Sequence, residues 1–314
     1  MTLSVQEPLP LSWARSGTCE PVYRSISLPL SRATWIPFAN IPKNYTLSSV
    51  KKDLEDLFPE GFLVRGCSKQ TAGFFKQKGG AVLRTGAEAV LCLQNGHFEK
   101  KSLRKLLHQA EKKGRIVEVP LNDENKRHLL ALQRQARHSA KPQLANVFRT
   151  YPFDACRCFV LCSFADEWLA AVTITTREDA LAHTELMLKR DNSPPGSMEF
   201  LLAGVFDVLR QEGFFEWSLG EVPFFHLGQR RNVPSRLEES IVVLIAELFR
   251  DVYDFRGLFY FKNKFYPQWR DVYLYSLQGI SLLTLADMAV KTRYAALVGQ
   301  KVFNVLKEPF FSDR

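Results

Sequence analysis

The sequence predicts an α/β protein built on a mixed central sheet. Segments with strand periodicity are interrupted by single amphipathic helices, a pattern that lays helices over a sheet. The chain has 314 residues and 46% hydrophobic content, enough for one large core or two smaller ones. The pattern also starts afresh near residue 146, so each half reads as one α/β unit. The expected division is an extended Pro/Ser-rich arm over 1–45, a first unit over 46–145, a second over 146–278, and a C-terminal amphipathic helix over 279–314.

In the first unit, "SVKKDLEDLF" (49–58) reads as a helix with Ser at its start. "AVLRTGAEAVLCL" (81–93) reads as two short strands about a turn at Gly86. The next helix has Ser102 as N-cap, Leu103, Leu106, Leu107 and Ala110 on one face, and Gly114 as terminator. "IVEVPL" is a short strand, and Glu124 to His138 forms a second helix with Leu129, Leu132 and Ala136 inward. In the second unit, "CFVLCSF" and "WLAAVTITT" flank a turn at Ala165 to Glu167 as a hairpin, and "AHTELML" follows as a strand. "SMEFLLAGVFDVLRQEG" is a helix ended by Gly213. Then come the strand "FFEWSLG", the helix "ESIVVLIAELFRDVY", the aromatic segment "GLFYFKNKFYPQW" read as extended, and the strand "DVYLYSL". The tail from Ser281 to Leu306 reads as a helix packed on the domain or lying at an anionic membrane surface.

A formal net charge of +9 and a pI near 9.2 suit a polyanionic partner, nucleic acid or an anionic membrane. The charge is concentrated. Between His97 and Lys141 there are twelve Lys or Arg against five Asp or Glu. Lys101, Arg104, Lys105, His108 and Lys112 lie together opposite the leucine face of their helix, either a solvated face or a phosphate-contacting one. Cys156, Cys158 and Cys162 share one face of a strand and read as buried thiols, with no fourth ligand to suggest a metal site. The start of the chain has no basic segment followed by an apolar run, and no apolar run is long enough to span a bilayer. The expected location is therefore the cytoplasm, with reduced thiols.

Several segments together resemble the catalytic domain of the lysyl-phosphatidylglycerol synthases, the cytoplasmic portion of the bacterial multiple peptide resistance factor. "FKNKFYPQW" followed by "YL" at Tyr273 is similar to that family's C-terminal pattern. "TELMLKRDNSPPGSMEFLL", "GFFEWSLGEVPF", "RTGAEAVLCL" and "SLRKLLHQAEKKG" resemble its other conserved-pattern segments. The likeness covers about residues 60 to 275 and is poor over 120–155. It implies tandem GNAT acyltransferase-type domains, in a free-standing version, that move an aminoacyl group from a charged tRNA to a lipid head-group hydroxyl such as that of phosphatidylglycerol. Where the family pattern has Asp, this chain has Glu185; where it has Arg, this chain has Leu188. Ser218 stands for the family's Asp before Leu-Gly, and Val272 for the Arg before Tyr-Leu.

Aminoacyl transfer from a tRNA ester needs an oriented nucleophile, a proton acceptor and stabilisation of the oxyanion. The ester is already activated, so no metal, ATP or other cofactor is expected beyond aminoacyl-tRNA as co-substrate. On this reading Glu185 orients or deprotonates the nucleophile or holds the α-ammonium, with Glu199 and Glu221 as further candidate catalytic carboxylates. Lys262 and Lys264, on one strand face, would contact phosphate unless they merely protect a sheet edge. Lys189, Arg190 and Arg270 are further candidates for the substrate phosphate. Lys101, Arg104, Lys105, His108 and Lys112 would contact tRNA, and the other partner would be an anionic lipid or membrane surface. Two other classes remain open: an acyl-CoA-dependent N-acyltransferase, for which no Gly-rich pyrophosphate loop is found ("LGQRRNVP" is a weak candidate), and a non-catalytic lipid- or RNA-binding protein.

Overall fold

The computed structural model describes residues 7–136, 144–149, 156–178, 180–225 and 254–299. The N-terminal segment does not form an extended arm. It supplies β1 (Ala14–Ser16), β2 (Val22–Leu28) and β3 (Ala33–Pro42). Trp13, Trp35, Ile36 and Ile41 in this segment are wholly buried, which no solvated arm would permit. There follow α1 (Leu47–Leu57), β4 (Phe62–Cys67), α2 (Lys69–Gln77), β5 (Ala81–Cys92), α3 (Lys101–Glu111), β6 (Gly114–Val119) and α4 (Asp123–Arg134). The second half adds β7 (Cys156–Ser163), β8 (Trp168–Glu178), β9 (Leu181–Lys189), α5 (Ser197–Gln211), β10 (Glu216–Pro223), α6 (Phe255–Asn263), β11 (Gln268–Ser276) and α7 (Leu282–Lys291).

These strands make one sheet in the order β1-β3-β4-β11-β5-β10-β9-β8-β7-β6, with β2 also paired to β3. The boundary expected at 145/146 does not fall at a gap in the sheet. β6 pairs antiparallel with β7 across it, and β11, from the second half, lies between β4 and β5. α1 starts at Leu47 rather than Ser49, with Thr46 accepting from Ser49 N; Ser68 likewise caps α2 through Thr71 N, and Asn122 caps α4 through Asn125 N. α3 is an exception. It starts one residue before Ser102, after Lys100, without a side-chain cap, and Gly114 opens β6 rather than ending the helix.

The main core lies where α5 crosses the sheet. Leu201, Leu202, Val205, Phe206 and Leu209 of α5 pack on Phe159, Leu161, Val172, Trp217 and Phe265. Each such side chain contributes about 1.5–3 kcal/mol through burial. A second core gathers Leu9, Trp13, Val50, Leu54, Phe62, Phe75 and Tyr275 under α1 and α2. Leu129 and Leu132 of α4 cover Cys158, Val160, Cys162 and Leu188. Burial pushes the Cys158 thiol up to about 12, so it is an inert, protonated packing group.

Three expectations about elements change. β5 is one continuous strand rather than two. Gly86 lies within it, where a Cβ would come 2.4 Å from the Val222 carbonyl oxygen, so glycine lets β10 approach. "GLFYFKN" belongs to helix α6, capped by Asp254, whose carboxylate accepts from Gly257 N. The apolar and aromatic residues of that segment have helical as well as strand spacing, and the Asp254 cap favours the helix. The tail helix is interrupted at Arg293, whose φ is +60°. The helix expected over "ESIVVLIAELFRDVY" and the Gly/Arg segment "LGQRRNVP" lie outside the described residues.

Candidate active site

A cleft opens where β9 and β10 part. The two strands pair in parallel over only three positions, ending at Ser218 opposite His183. Beyond them the strands diverge, and residues 183–187, 219–221 and Pro223 line a cavity of about 310 Å³ closed by Leu258, Phe261 and Lys262 of α6. Two local irregularities aim side chains at it. The β8–β9 register shifts between Thr173 opposite Leu186 and Ile174 opposite Thr184, leaving Glu185 as the extra residue of a bulge. The β10–β5 register shifts between Ser218 and Glu221, and Gly220 there has φ of +85°. Bulges of this kind re-aim a side chain beside a functional site.

Glu185 is 4% exposed and fully partnered. Its Oε2 accepts from Ser12 Oγ at 3.2 Å and from Arg149 N at 3.1 Å; its Oε1 accepts from Thr175 Oγ1 at 2.9 Å. The Arg149 Nε lies 4.0 Å from Oε1. Burial pushes the Glu185 carboxyl up, and the Arg149 guanidinium and the three hydrogen bonds hold it partly back. Arg149 in turn is anchored to Ser12 O, Ala39 O and Asn40 Oδ1, at 2.9, 2.9 and 3.0 Å, and sits over the Phe38 ring. A guanidinium therefore stands beside the carboxylate even though Leu188 occupies the expected position. Leu188 points away, into the apolar cluster under α4.

Lys262 lies on the other wall. It is 2% exposed, its Nζ donates to the Glu221 carbonyl oxygen at 3.1 Å, and burial lowers its pKa to about 7, opposed by the Glu221 and Glu88 carboxylates. A Cβ on Gly220 would sit 3.6 Å from Lys262 Nζ, 3.7 Å from Thr184 O and 4.0 Å from His183 Cε1. Those atoms thus converge on the space that glycine leaves open. His183 Nδ1 is 3.2 Å from Ser218 Oγ, which accepts from Gly220 N at 3.0 Å. The Glu221 carboxylate is engaged by its own partners, accepting from Arg65 at 2.5 Å and from Thr85 Oγ1 at 3.2 Å. That Arg65–Glu221 pair also borders a second cavity of about 170 Å³, otherwise lined largely by apolar side chains such as Leu83, Leu274, Leu285 and Met288.

Of the residues singled out from sequence, Glu185, Glu221 and Lys262 meet at this cleft. The others do not. Lys262 and Lys264 share no strand face: Lys262 is in α6, and Lys264 at its C-terminal end pairs with Glu199 at 2.8 Å. That pairing engages both Lys264 and Glu199 outside the cleft. Arg270 is held by Glu216 at 2.6 and 2.5 Å, and Arg190 by Gln135 and Glu167. Lys189 is exposed beyond Leu188. Lys101, Arg104, Lys105, His108 and Lys112 all lie on the exposed face of α3, with His108 beside Glu111 at 3.3 Å. Sequence reading missed Arg149, Ser12, Arg65 and His183. Nothing local marks the first three, and His183 is legible only as the residue two before Glu185 on the same strand. Among the described residues no group of three His, Cys, Asp or Glu is placed to hold a metal ion.

A split parallel strand pair with bulges and a helix across the gap, within a sheet assembled from both halves of the chain, defines a tandem GNAT-like fold. Residues 51–276 match the family described as "Phosphatidylglycerol lysyltransferase, C-terminal", and the chain belongs to it. That family is one of aminoacyltransferases that use aminoacyl-tRNA. A 90-residue span is 32% identical to a phosphatidylglycerol lysyltransferase of Bacillus subtilis (strain 168), covering 29% of this chain and 10% of that protein's length. Among solved structures, that of L-PGS from Bacillus licheniformis superposes with a TM-score of 0.66 at 18% identity, covering 90% of this chain and 86% of that one. The C-terminal domain of a putative lysylphosphatidylglycerol synthetase from Agrobacterium fabrum gives 0.64 at 20% identity, covering 86% and 84%. At these identities the superpositions speak for the fold. No helix among the described residues is long and apolar enough to cross a membrane.

Proposed function

We propose that this chain transfers an aminoacyl group from aminoacyl-tRNA to a hydroxyl of a lipid head group such as phosphatidylglycerol, working in the cytoplasm at the membrane face. The observation that carries the reading is the pairing, on opposite walls of one cleft, of a buried carboxylate, Glu185, with a buried amine, Lys262, whose pKa is near 7. Glu185 is suited to hold the α-ammonium of the aminoacyl group: burial pushes its carboxyl up, and an arriving cation adds to what Arg149 and the three hydrogen bonds already do to offset that desolvation. Lys262, whose burial favours the neutral amine, takes the proton from the acceptor hydroxyl. The hydroxyl oxygen then attacks the ester carbonyl carbon. The bond from that carbon to the tRNA ribose oxygen breaks, and the departing ribose oxygen takes the proton back from the Lys262 ammonium. The exposed basic face of α3 supplies phosphate contacts for the tRNA.

Incubation with labelled aminoacyl-tRNA and a lipid extract tests the reading: label enters the organic phase, and RNase abolishes it. Labelling that survives RNase and follows acyl-CoA would instead establish the N-acyltransferase reading. Absence of label with every amino acid would leave the binding-protein reading. Replacing Glu185 by Gln keeps acceptors and donors for Ser12, Thr175 and Arg149 N but removes the charge. Transfer should fall by a factor of about a hundred or more with the fold retained, and an unchanged rate removes Glu185 from the mechanism.

A further inference from the structure

Helix α7 is built inside out. At about 100° per residue, Leu282, Leu283, Ala286 and Val290 fall within about 100° of arc. All four are exposed, the three larger ones by 57%, 54% and 60%. The opposite side buries Thr284, Asp287 and Met288. This orientation is fixed, because the buried Asp287 carboxylate accepts from Ser31 N at 2.8 Å and Ser31 Oγ at 3.0 Å. The same bonds fix the β2–β3 turn against the helix, and Leu30 in that turn is 54% exposed. Arg32 in that turn and Arg293 just past the helix are exposed, and Lys291 is half-buried at the helix end. On its inner side the helix lines the 170 Å³ apolar cavity with Leu285, Met288 and Ala289. That cavity shares Arg65 and Glu221 with the cleft.

We infer that this face, Leu282, Leu283, Ala286 and Val290 with Leu30, is a docking surface for an anionic lipid bilayer. Its chemistry favours lipid over a protein partner. Protein interfaces concentrate aromatic side chains and Arg at their centre, whereas this patch is aliphatic at its centre and basic at its edge. An interfacial helix has that arrangement: apolar side chains enter the acyl boundary while Arg and Lys meet anionic head groups. The chain's formal charge of +9 adds long-range attraction to such a surface. Docked this way, the bilayer lies against the helix that roofs the cavity next to the cleft. The inference rests on the proposed lipid acceptor only for its purpose; the contact itself is independent of the reaction.

The test is co-sedimentation of the full chain with vesicles of phosphatidylglycerol and phosphatidylcholine, against vesicles of phosphatidylcholine alone. The wild-type chain should partition onto the anionic vesicles, and Leu282→Asp with Leu283→Asp should lower that partitioning about tenfold or more. Leu130→Asp, at an exposed leucine on α4, should leave it unchanged. If the double variant melts early, Val290→Ser carries the test with a smaller drop of the same sign. Equal binding by wild type and variants overturns the inference, as does a wild-type chain that binds no anionic vesicle. A wild-type dimer in sedimentation equilibrium that the double variant dissolves, with vesicle binding unmoved, would assign the face to a second copy instead. Transfer to detergent-dispersed lipid separates the two proposals. A double variant that transfers normally but no longer docks confirms docking alone, and a wild-type chain that docks but never transfers keeps the surface and loses the reaction.

Discussion

Lys262→Met should make the protein more stable and inactive, and the gain should depend on pH. Burial lowers the folded-state pKa of Lys262 from 10.5 to about 7. At about 1.4 kcal/mol per unit, a cation at this position costs about 5 kcal/mol. The folded chain holds this proton less tightly than the unfolded chain does. Between pH 7 and 10.5 the unfolded state therefore binds more protons, and stability rises with pH. The cost is fully present at pH 6 and has fallen to about 2 kcal/mol by pH 9. Methionine removes the charge at similar length but leaves the Glu221 carbonyl without its donor, a loss of about 1 kcal/mol. The net gain should be about 4 kcal/mol at pH 6 and about 1 kcal/mol at pH 9. Urea unfolding of both proteins, followed by tryptophan fluorescence at the two pH values, measures it. A difference of the same size at pH 6 and pH 9, or a variant less stable at pH 6, would refute an amine held largely neutral. In the wild-type protein the transfer rate should rise with pH through about 7 as the amine loses its proton; a rate that falls instead would make the Lys262 cation the working form.

Other substitutions separate the remaining parts of the site. Arg149→Met leaves the buried Glu185 carboxylate without its neighbouring guanidinium and should cost about 3 kcal/mol in urea unfolding, with part of the loss regained in the Arg149→Met, Glu185→Gln double variant and the rest due to Ser12 O, Ala39 O and Asn40 Oδ1 losing their donor. Additive losses would mean that the two side chains are not coupled. Lys101→Glu, Arg104→Glu and Lys105→Glu together should weaken tRNA binding at least tenfold in filter-binding titrations and flatten its salt dependence by about two to three units of slope. An unchanged slope would mark that face of α3 as merely solvated.

The sequence carried several of the elements and the polarity of the chain's surface. Apolar residues at helical spacing fixed α4 and α5, alternation fixed the β7–β8 hairpin, and the charge count located the basic face of α3. The motif segments carried the family, because the match runs through 51–276. Glu185 and Lys262 were visible as candidates because each sits in such a motif. Their environment was not visible. "GLFYFKN" is apolar at both strand and helix spacing, and in the fold it is a helix capped by Asp254 that buries Lys262.

What only the tertiary structure decided follows from one physical cause: burial is a property of neighbours distant in sequence. Ser12, Arg149 and Thr175 come from separate segments to enclose one carboxylate, and the register shift that aims Glu185 inward exists only between paired strands. The two lysines that look alike in "FKNKF" part company for the same reason. Lys264 stays 46% exposed and pairs with Glu199, whereas Lys262, two residues earlier, is enclosed beside Gly220 and loses most of its hydration. The sequence by itself determined that amines and carboxylates were present and which fold would carry them. Desolvation, which only packing supplies, determined which amine has a pKa near 7 and which cleft it faces.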